Sequence, residues 1–476
     1  MVSSRRRFIQ TIGVGAGIGL AGCSSGGNGG SGNNQNTGTG GSGGTSGTTT
    51  GSGKPKRVQF HFLAEITNSN LKKTYQSTFD AWNKQLTGYE VKPIFDFVGI
   101  NKSIPKLNTL LATGQPPDLV LSAPRISSFH KQLADMTPIN DHVGTPKRFT
   151  QPVGGKQTVV PEVLEIDSKW YRQDVYDKAG VTPPTTWDEH LTVNQKLADY
   201  LPKKQYPELI QAGANSTVWN HMGPVHAMLG VNFIERTGSG LDQVRVSLGD
   251  TKNRQNEIKV LNYFKKLYQW SPDSLSYSWP DQTLVYVNDT VATNAYEGRL
   301  LTNVFAQKPK LAPVTKPTNF PRPPGVSKSD YKTFAINNPF AVPEGGQKDL
   351  SFNFLKWFYD SEYYKKVVLS VAPHQVPVDI KMLDSDAFKQ NKIWSSGPGK
   401  TYKAYLKDIW GNVYNSQLGR TNPPTPYWGQ VVTDSKIVPN MVSNALVGRK
   451  TPEKAVDDAV VQLKKKLPQV VKQVTS

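Results

Sequence analysis

The chain has 476 residues, a formal net charge of +19 from 56 Lys and Arg against 37 Asp and Glu, and a single cysteine. One cysteine excludes an internal disulfide framework and a cysteine-ligated metal site. The basic residues are dispersed and form no nucleic-acid-binding motif, so the charge points to an anionic ligand, an anionic membrane surface or an acidic habitat, and not to nucleic acid.

The first residues read as an export leader. Ser4-Arg5-Arg6-Arg7-Phe8-Ile9 has the pattern of a twin-arginine signal. The apolar run that follows has roughly 10 residues, short of the roughly 20 that cross a bilayer. Leu20-Ala21-Gly22-Cys23 reads as a lipobox, which makes residues 1–22 a signal peptide and Cys23 the lipidation site. Removing the three arginines lowers the formal charge from +19 to +16. Residues 23–53 are almost entirely Gly, Ser, Thr and Asn. Such a segment cannot bury enough apolar surface to offset its ordering entropy, so a flexible, lipid-anchored tether is expected.

Residues 54–476 are too many for one ordinary core, and two lobes are expected. Residues 57–63 alternate like a strand, and Leu71, Tyr75, Phe79, Trp82 and Leu86 have helical spacing. A second strand is expected at residues 89–97, a helix near 104–113, and a buried parallel strand at 117–121. Alternating strands and helices imply a parallel sheet with ligands at its carboxyl ends, which directs attention to residues 64–70 and 122–127. Thr186 and Glu189 form a capping box that opens a helix on residues 187–197. Thr451 and Pro452 have the pattern of an N-cap followed by a first-turn proline.

Several segments, taken in order, resemble extracellular solute-binding proteins of ABC importers, in the branch that binds maltose and other sugars. They are Gly114-Gln115-Pro116-Pro117-Asp118, Val160-Pro161, the run from Trp170 to Gly180, Pro183-Pro184-Thr185-Thr186-Trp187-Asp188-Glu189, Lys332 to Ile336, Gln375-Val376-Pro377-Val378, and Val447 to Ala455. The resemblance departs from the family pattern at Arg172-Gln173 and in the proline-rich residues 308–324. It implies an α/β, two-lobed periplasmic-binding-protein-like fold, each lobe a mostly parallel sheet flanked by helices, with the ligand cleft at the hinge. Residues 54–161 with 314–362 are expected as lobe 1, and 162–313 with 363–476 as lobe 2.

The resemblance also implies a membrane-tethered importer component that captures a sugar or other polar solute by lobe closure and delivers it to permease subunits. The expected place is the extracellular face of the cytoplasmic membrane, as a monomer, of archaeal or Gram-positive type, with no cofactor and no metal. Sugar recognition needs aromatic rings for stacking and polar side chains for hydroxyls. On those grounds Glu65, Ser122 and Arg125 are candidates from the first lobe, and Glu165, just after the first crossing strand, is another, with Glu162 and Asp167 as alternatives to it. Trp219, Asn220, Trp279, Asn294 and Tyr296 are candidates from the second, with Tyr427 and Trp428 as a late aromatic platform. His221 is expected to bond locally. The basic charge keeps an acidic sugar or phosphorylated glycerol in view, with Arg125 as its partner. A secreted carbohydrate-active enzyme is the other alternative; Glu162 and Glu165, three apart on one strand, would point to opposite faces and not flank one bond.

Overall fold

The alternation at the start of the body becomes β1 (Lys56–Glu65), which buries Phe60 and Phe62. The helix Ser69–Asn83 follows because the Asn68 side chain accepts from the amides of Asn70 and Leu71, and it buries the expected stripe of Leu71, Tyr75, Phe79 and Trp82. β2 (Tyr89–Val98) and β3 (Leu119–Leu121) flank β1 in parallel, with the helix Ser103–Ala112 between them in the chain. Asp118 is tied into this arrangement. Its carboxylate accepts from the amides of His61 at 2.6 Å and Gln347 at 2.7 Å, pinning β3 to β1 and to the start of the helix Lys348–Asp360.

This computed structural model describes residues 55–99, 102–122, 124–150, 152–415, 431–432 and 435–475. The leader, Cys23 and the tether lie outside them, as do Tyr427 and Trp428. Residues Lys54–Ser476 make one compact unit.

The remaining strands are β4 (Val160–Ile166), β5 (Ser168–Arg172), β6 (Tyr206–Glu208), β7 (Ile234–Arg236), β8 (Val244–Val246), β9 (Val291–Tyr296), β10 (Thr315–Thr318), β11 (Thr333–Ala341) and β12 (Val413–Asn415). Among the described residues they build two larger sheets and one hairpin, β7 with β8. The first sheet runs β12-β11-β3-β1-β2, with β4 also on β11; the second runs β10-β5-β9-β6.

The second sheet departs from the expectation of mostly parallel pairing. Only β6 and β9 are parallel, whereas β5 is antiparallel to both β9 and β10. β5 begins two residues after the end of β4, with Asp167 between, so the chain passes directly from one sheet to the other instead of arriving by a helical crossover.

Strand pairing also divides the chain differently from the expected lobe boundaries. All of β4 pairs with β11 in the first sheet, beyond residue 161. β10, in the departing proline-rich stretch, pairs with β5 in the second sheet although it follows residue 313. The helix Glu362–Leu369 packs on Ser69–Asn83 and Lys348–Asp360, and β12 pairs with β11. The first expected boundary fell on a local marker, Pro161, but the strand continues through that proline.

The first sheet packs on an aromatic layer. Phe79 and Phe354 stack at 4.3 Å and 13°, and Phe354 and Phe358 at 5.7 Å and 11°. Tyr75 joins them and donates to the buried carboxylate of Glu162. The capping box of Thr186 and Glu189 is present, and Trp187 stacks on Tyr263 at 3.8 Å. Thr451 Oγ1 accepts from the amide of Lys454 at 3.3 Å at the start of the terminal helix. Arg172, where the family pattern was broken, bonds Asp174 at 2.8 Å and Asp289, fastening β5 to the turn before β9.

Candidate functional site

Where β4 hands over to β5, the carboxyl end of β9 and a returning segment at residues 372–376 converge. Glu165 lies within β4, one residue from its end, not after it as expected. Its Oε1 accepts from Asn338 Nδ2 on β11 at 3.1 Å and lies 3.0 Å from His374 Nε2 and 3.9 Å from Arg299 Nη2. Arg299 also lies 3.3 Å from Glu297 and donates to His374 Nε2 at 3.1 Å. Glu297 and Arg299 belong to the turn after β9, so the cluster links strands of the first sheet to the end of the second.

Gly298 is what lets that turn close. A Cβ there would come within 2.5 Å of the Pro373 carbonyl oxygen and 3.0 Å of the Tyr402 ring. The approach of the Arg299 turn to the His374 segment therefore requires glycine.

The electrostatics separate the two carboxyls. Burial raises the pKa of Glu165, but His374, Arg299 and Asn338 outweigh it and hold the group down to about 2. Burial pushes Glu297 up to about 7; Arg299 opposes this, Glu165 adds to it, and the fully buried Asn220 amide lowers it. Burial also lowers His374, with Arg299 in the same direction. At neutral pH Glu165 is ionised, while Glu297 is the member of the pair that takes up a proton.

Glu165, Glu297 and His374 bring one ligand atom each within 4.8 Å of one another, a spacing open to a metal ion. The Arg299 guanidinium already stands among these donors and supplies the positive charge, so the chemistry fits an ion-pair network better than a metal centre.

A second polar chain lies at the carboxyl ends of other strands of the first sheet. Ser103 Oγ donates to Glu65 Oε2 at 2.5 Å and lies 2.6 Å from Ser122 Oγ, at the carboxyl ends of β1 and β3. The Ser122 amide donates to the carbonyl of Pro339, the residue after Asn338. From the second lobe, Tyr296 precedes Glu297, and its ring lies 6.0 Å from the half-buried Trp279 ring. The structure thus brings Glu165 and Asn220 into one cluster, with Tyr296 and Trp279 next to it in the chain or in contact with its neighbours, and leaves Glu65 and Ser122 as a separate polar pair at the ends of β1 and β3.

Other candidates sit elsewhere or serve packing. Trp219 is set edge-on against Phe233 and His226, each centroid 5.8 Å away, in the core. Asn294 is fully buried and donates to the Gln282 carbonyl at 2.6 Å, holding the helix Trp279–Val287 on β9. Arg125 lies in the 3-10 segment Pro124–Gln132, with its side chain outside the described residues. Glu162 faces Tyr75 while Glu165 faces His374, so the two carboxyls do not flank a common bond. His221 bonds locally, as expected: its Nε2 accepts from the Gln211 amide at 3.0 Å, and burial lowers its pKa to about 4.

Sequence reasoning missed Glu297, Arg299, His374 and Asn338. The only sequence signal was the run Glu297-Gly298-Arg299 directly after a strand and His374 beside the Gln375 to Val378 motif.

Among the described residues no helix is long and apolar enough to cross a membrane. No curated protein matches the chain. Solved structures do. MalE3 of T. maritima, bound to maltose, superposes with a TM-score of 0.64 at 16% identity, covering 85% of this chain and 99% of its own. The GacH receptor of Streptomyces glaucescens, solved unliganded and with acarbose, gives 0.67 at 15%, covering 87% and 99%. An ABC transporter solute-binding protein of Agrobacterium radiobacter in complex with ribitol gives 0.66 at 16%, covering 87% and 100%. These likenesses define a two-lobed periplasmic-binding-protein fold. The family model for bacterial extracellular solute-binding proteins matches residues 68–365, more than half of the chain, and the protein belongs to that family.

Proposed function

We propose that this protein is the solute-capturing component of an ABC importer, tethered through lipid on Cys23 at the extracellular face of the cytoplasmic membrane. It binds a sugar or oligosaccharide between its lobes, closes over it and presents it to permease subunits. Family membership supports the capture role. Relatives that bind maltose, acarbose and ribitol support a polyhydroxylated solute.

The observation that carries the reading is the cluster of Glu165, Glu297, Arg299, His374 and Asn338 at the strand crossing. It offers acceptors and donors side by side, as sugar hydroxyls require, and the half-buried Trp279, backed by the buried Tyr296 ring, is the aromatic candidate nearest to it. Tyr427, Trp428 and Arg125 complete the proposed ligand set. Two carboxyls against one guanidinium favour a neutral polyol over an acidic sugar or phosphorylated glycerol, despite the basic body. The lobes are residues 55–166 with 333–371, and 168–318 with 378–412 and 435–475, hinged at the chain segments between them.

A thermal-shift and titration screen of residues 54–476 against maltose, longer maltooligosaccharides, ribitol, galacturonate and glycerol phosphate tests this. A ligand at 100 times its Kd stabilises by about 2.7 kcal/mol. A neutral polyol should bind and be recovered unchanged, and Glu165→Gln should weaken it at least about tenfold, the loss of one charge-assisted hydrogen bond. Binding of the anions alone would overturn the neutral-solute assignment. Recovery of cleaved sugar would move the protein to the carbohydrate-active enzymes.

A further inference from the structure

The terminal helix Pro452–Thr475 buries Val456, Ala459, Leu463, Leu467, Val470 and Val474 against the helices Thr251–Tyr268 and Ile437–Leu446. Away from that face runs a second line, Val461, Lys464, Lys465, Pro468 and Lys472, all exposed, with Val461, Lys465 and Lys472 opposite the buried face and Lys464 on its flank. At about 100° per residue these five fall in a stripe about 100° wide. Val461 is 53% exposed, a large apolar side chain set among lysines.

Little of the charge on this stripe is used internally: Lys464 helps hold the Asp250 carboxyl down, without an ion pair to it. From residue 459 to the end the helix carries no acidic residue. Two of the three acids of its first turns are taken, Asp457 by Arg254 at 2.7 and 2.9 Å and Asp458 by Lys450 at 2.7 Å and by Lys454, leaving Glu453 at the far end of the helix from Lys464. Among the described residues no ion pair holds Lys464, Lys465 or Lys472. Favourable interaction with the helix dipole accounts for Lys472 in the last turn, but not for Lys464 and Lys465, about three turns from the end. Lys131, whose ammonium donates to the Thr475 carbonyl at 2.5 Å, extends the basic surface past the helix terminus. A neighbouring cleft of about 430 Å³ is lined by Arg245, Asp250, Lys464, Leu467 and Pro468, but Arg245 is already bound to Asp250 at 2.8 Å and to Glu235. The lysines are the groups open to an anion.

We infer that this stripe is a docking surface for an anionic lipid bilayer. Three lysines in line match a plane of phosphate charge, and Val461 and Pro468 between them suit the headgroup boundary, where a polyanion such as nucleic acid would offer no apolar counterpart. The helix keeps its hydrophobic face for the core, so the contact is electrostatic and reversible. It would hold the body against the membrane surface in one orientation, independently of any solute.

The test is co-sedimentation of residues 54–476 with vesicles of phosphatidylcholine alone and of phosphatidylcholine with phosphatidylglycerol. That unit is compact by itself and spans the full length of its solved relatives. The wild type should bind the anionic vesicles and not the neutral ones, and should be released at about 0.5 M salt, where the screening length is a few Å. At about fivefold per lysine, Lys464→Gln, Lys465→Gln and Lys472→Gln together should lower the partition coefficient roughly 100-fold. The circular dichroism spectrum, and binding of whichever solute the screen identifies, should stay unchanged. As a second variant, Val461→Asp should weaken binding with the lysines intact. Equal binding by the triple variant, equal binding to neutral vesicles, no binding at all, or tighter binding to duplex DNA than to the anionic vesicles would each overturn the inference.

Discussion

The two halves of the molecule are held together by different physics. Under the first sheet the interior is a stack of rings, with Phe79, Phe354 and Phe358 in offset contact. The second lobe instead buries charge. Lys169 Nζ lies 2.7 Å from Glu208, His190 Nε2 lies 2.5 Å from the same carboxylate, and His226 pairs with Glu257 at 2.7 Å, all almost fully buried. Aromatic packing tolerates changes of pH. A buried ion network gains its strength only while each member keeps its protonation state, so the second lobe and the hinge should carry most of the acid sensitivity of the protein, with the buried Glu162 carboxyl as the titrating exception under the first sheet.

Removing one member from each half gives the largest effects and separates the two kinds of core. Glu208→Gln strands Lys169 and should cost about 3–5 kcal/mol. Phe354→Ala should cost about as much through the cavity it leaves. Denaturant unfolding over a range of pH distinguishes them: the cost of Glu208→Gln should change with pH, and that of Phe354→Ala should not.

The titrating groups predict opposing slopes, one falling toward acid between about pH 6.5 and 4 and one falling toward alkali between about pH 4.5 and 8. His221 is lowered to about 4, so the unfolded chain takes up its proton first, and stability should fall by about 3 kcal/mol as pH drops from about 6.5 to about 4. Glu165, lowered to about 2, extends that decline below about 4.5. Glu162 runs the other way. Burial raises it to about 8, so its contribution is whole below about 4.5 and is lost as pH rises through about 8. Glu162→Gln should flatten the alkaline decline while leaving the acid one in place. If the melting temperature of that variant followed the wild type across pH 5 to 8, the assignment of the buried proton would be wrong.

A smaller effect addresses how the halves meet. Phe334, on β11 of the first sheet, lies over Gly223 in the helix Trp219–Leu229, and a Cβ at that glycine would overlap the ring at 1.5 Å. Gly223→Ala should therefore cost about 1–3 kcal/mol by overpacking. A gain in stability would show that the contact is loose. The smallest effect is Thr186→Ala, which removes a well-formed capping box on the surface and should cost about 1 kcal/mol in thermal unfolding.

The share of this that was legible in the sequence follows the range of the interaction. The periodicity of Leu71, Tyr75, Phe79 and Trp82, the capping box at Thr186 and Glu189, and the N-cap at Thr451 are local patterns, and each is realised where the spacing put it. The lobe boundaries were not local. Pro161 marks a strand, but which sheet that strand joins is decided by its pairing with β11, some 170 residues later in the chain.

The same division runs through the site. Sequence alone determined the family segments and the α/β order, because these rest on composition, spacing and matching along the chain. It could not distinguish Trp219, which packs against Phe233, from Trp279, which stands beside the strand crossing. Only the tertiary structure brought Glu297, Arg299, His374 and Asn338 to Glu165, since a buried carboxylate is held by whichever partners the fold delivers to it. The ionisation of that carboxylate depends on charges that are close in space and distant in the chain.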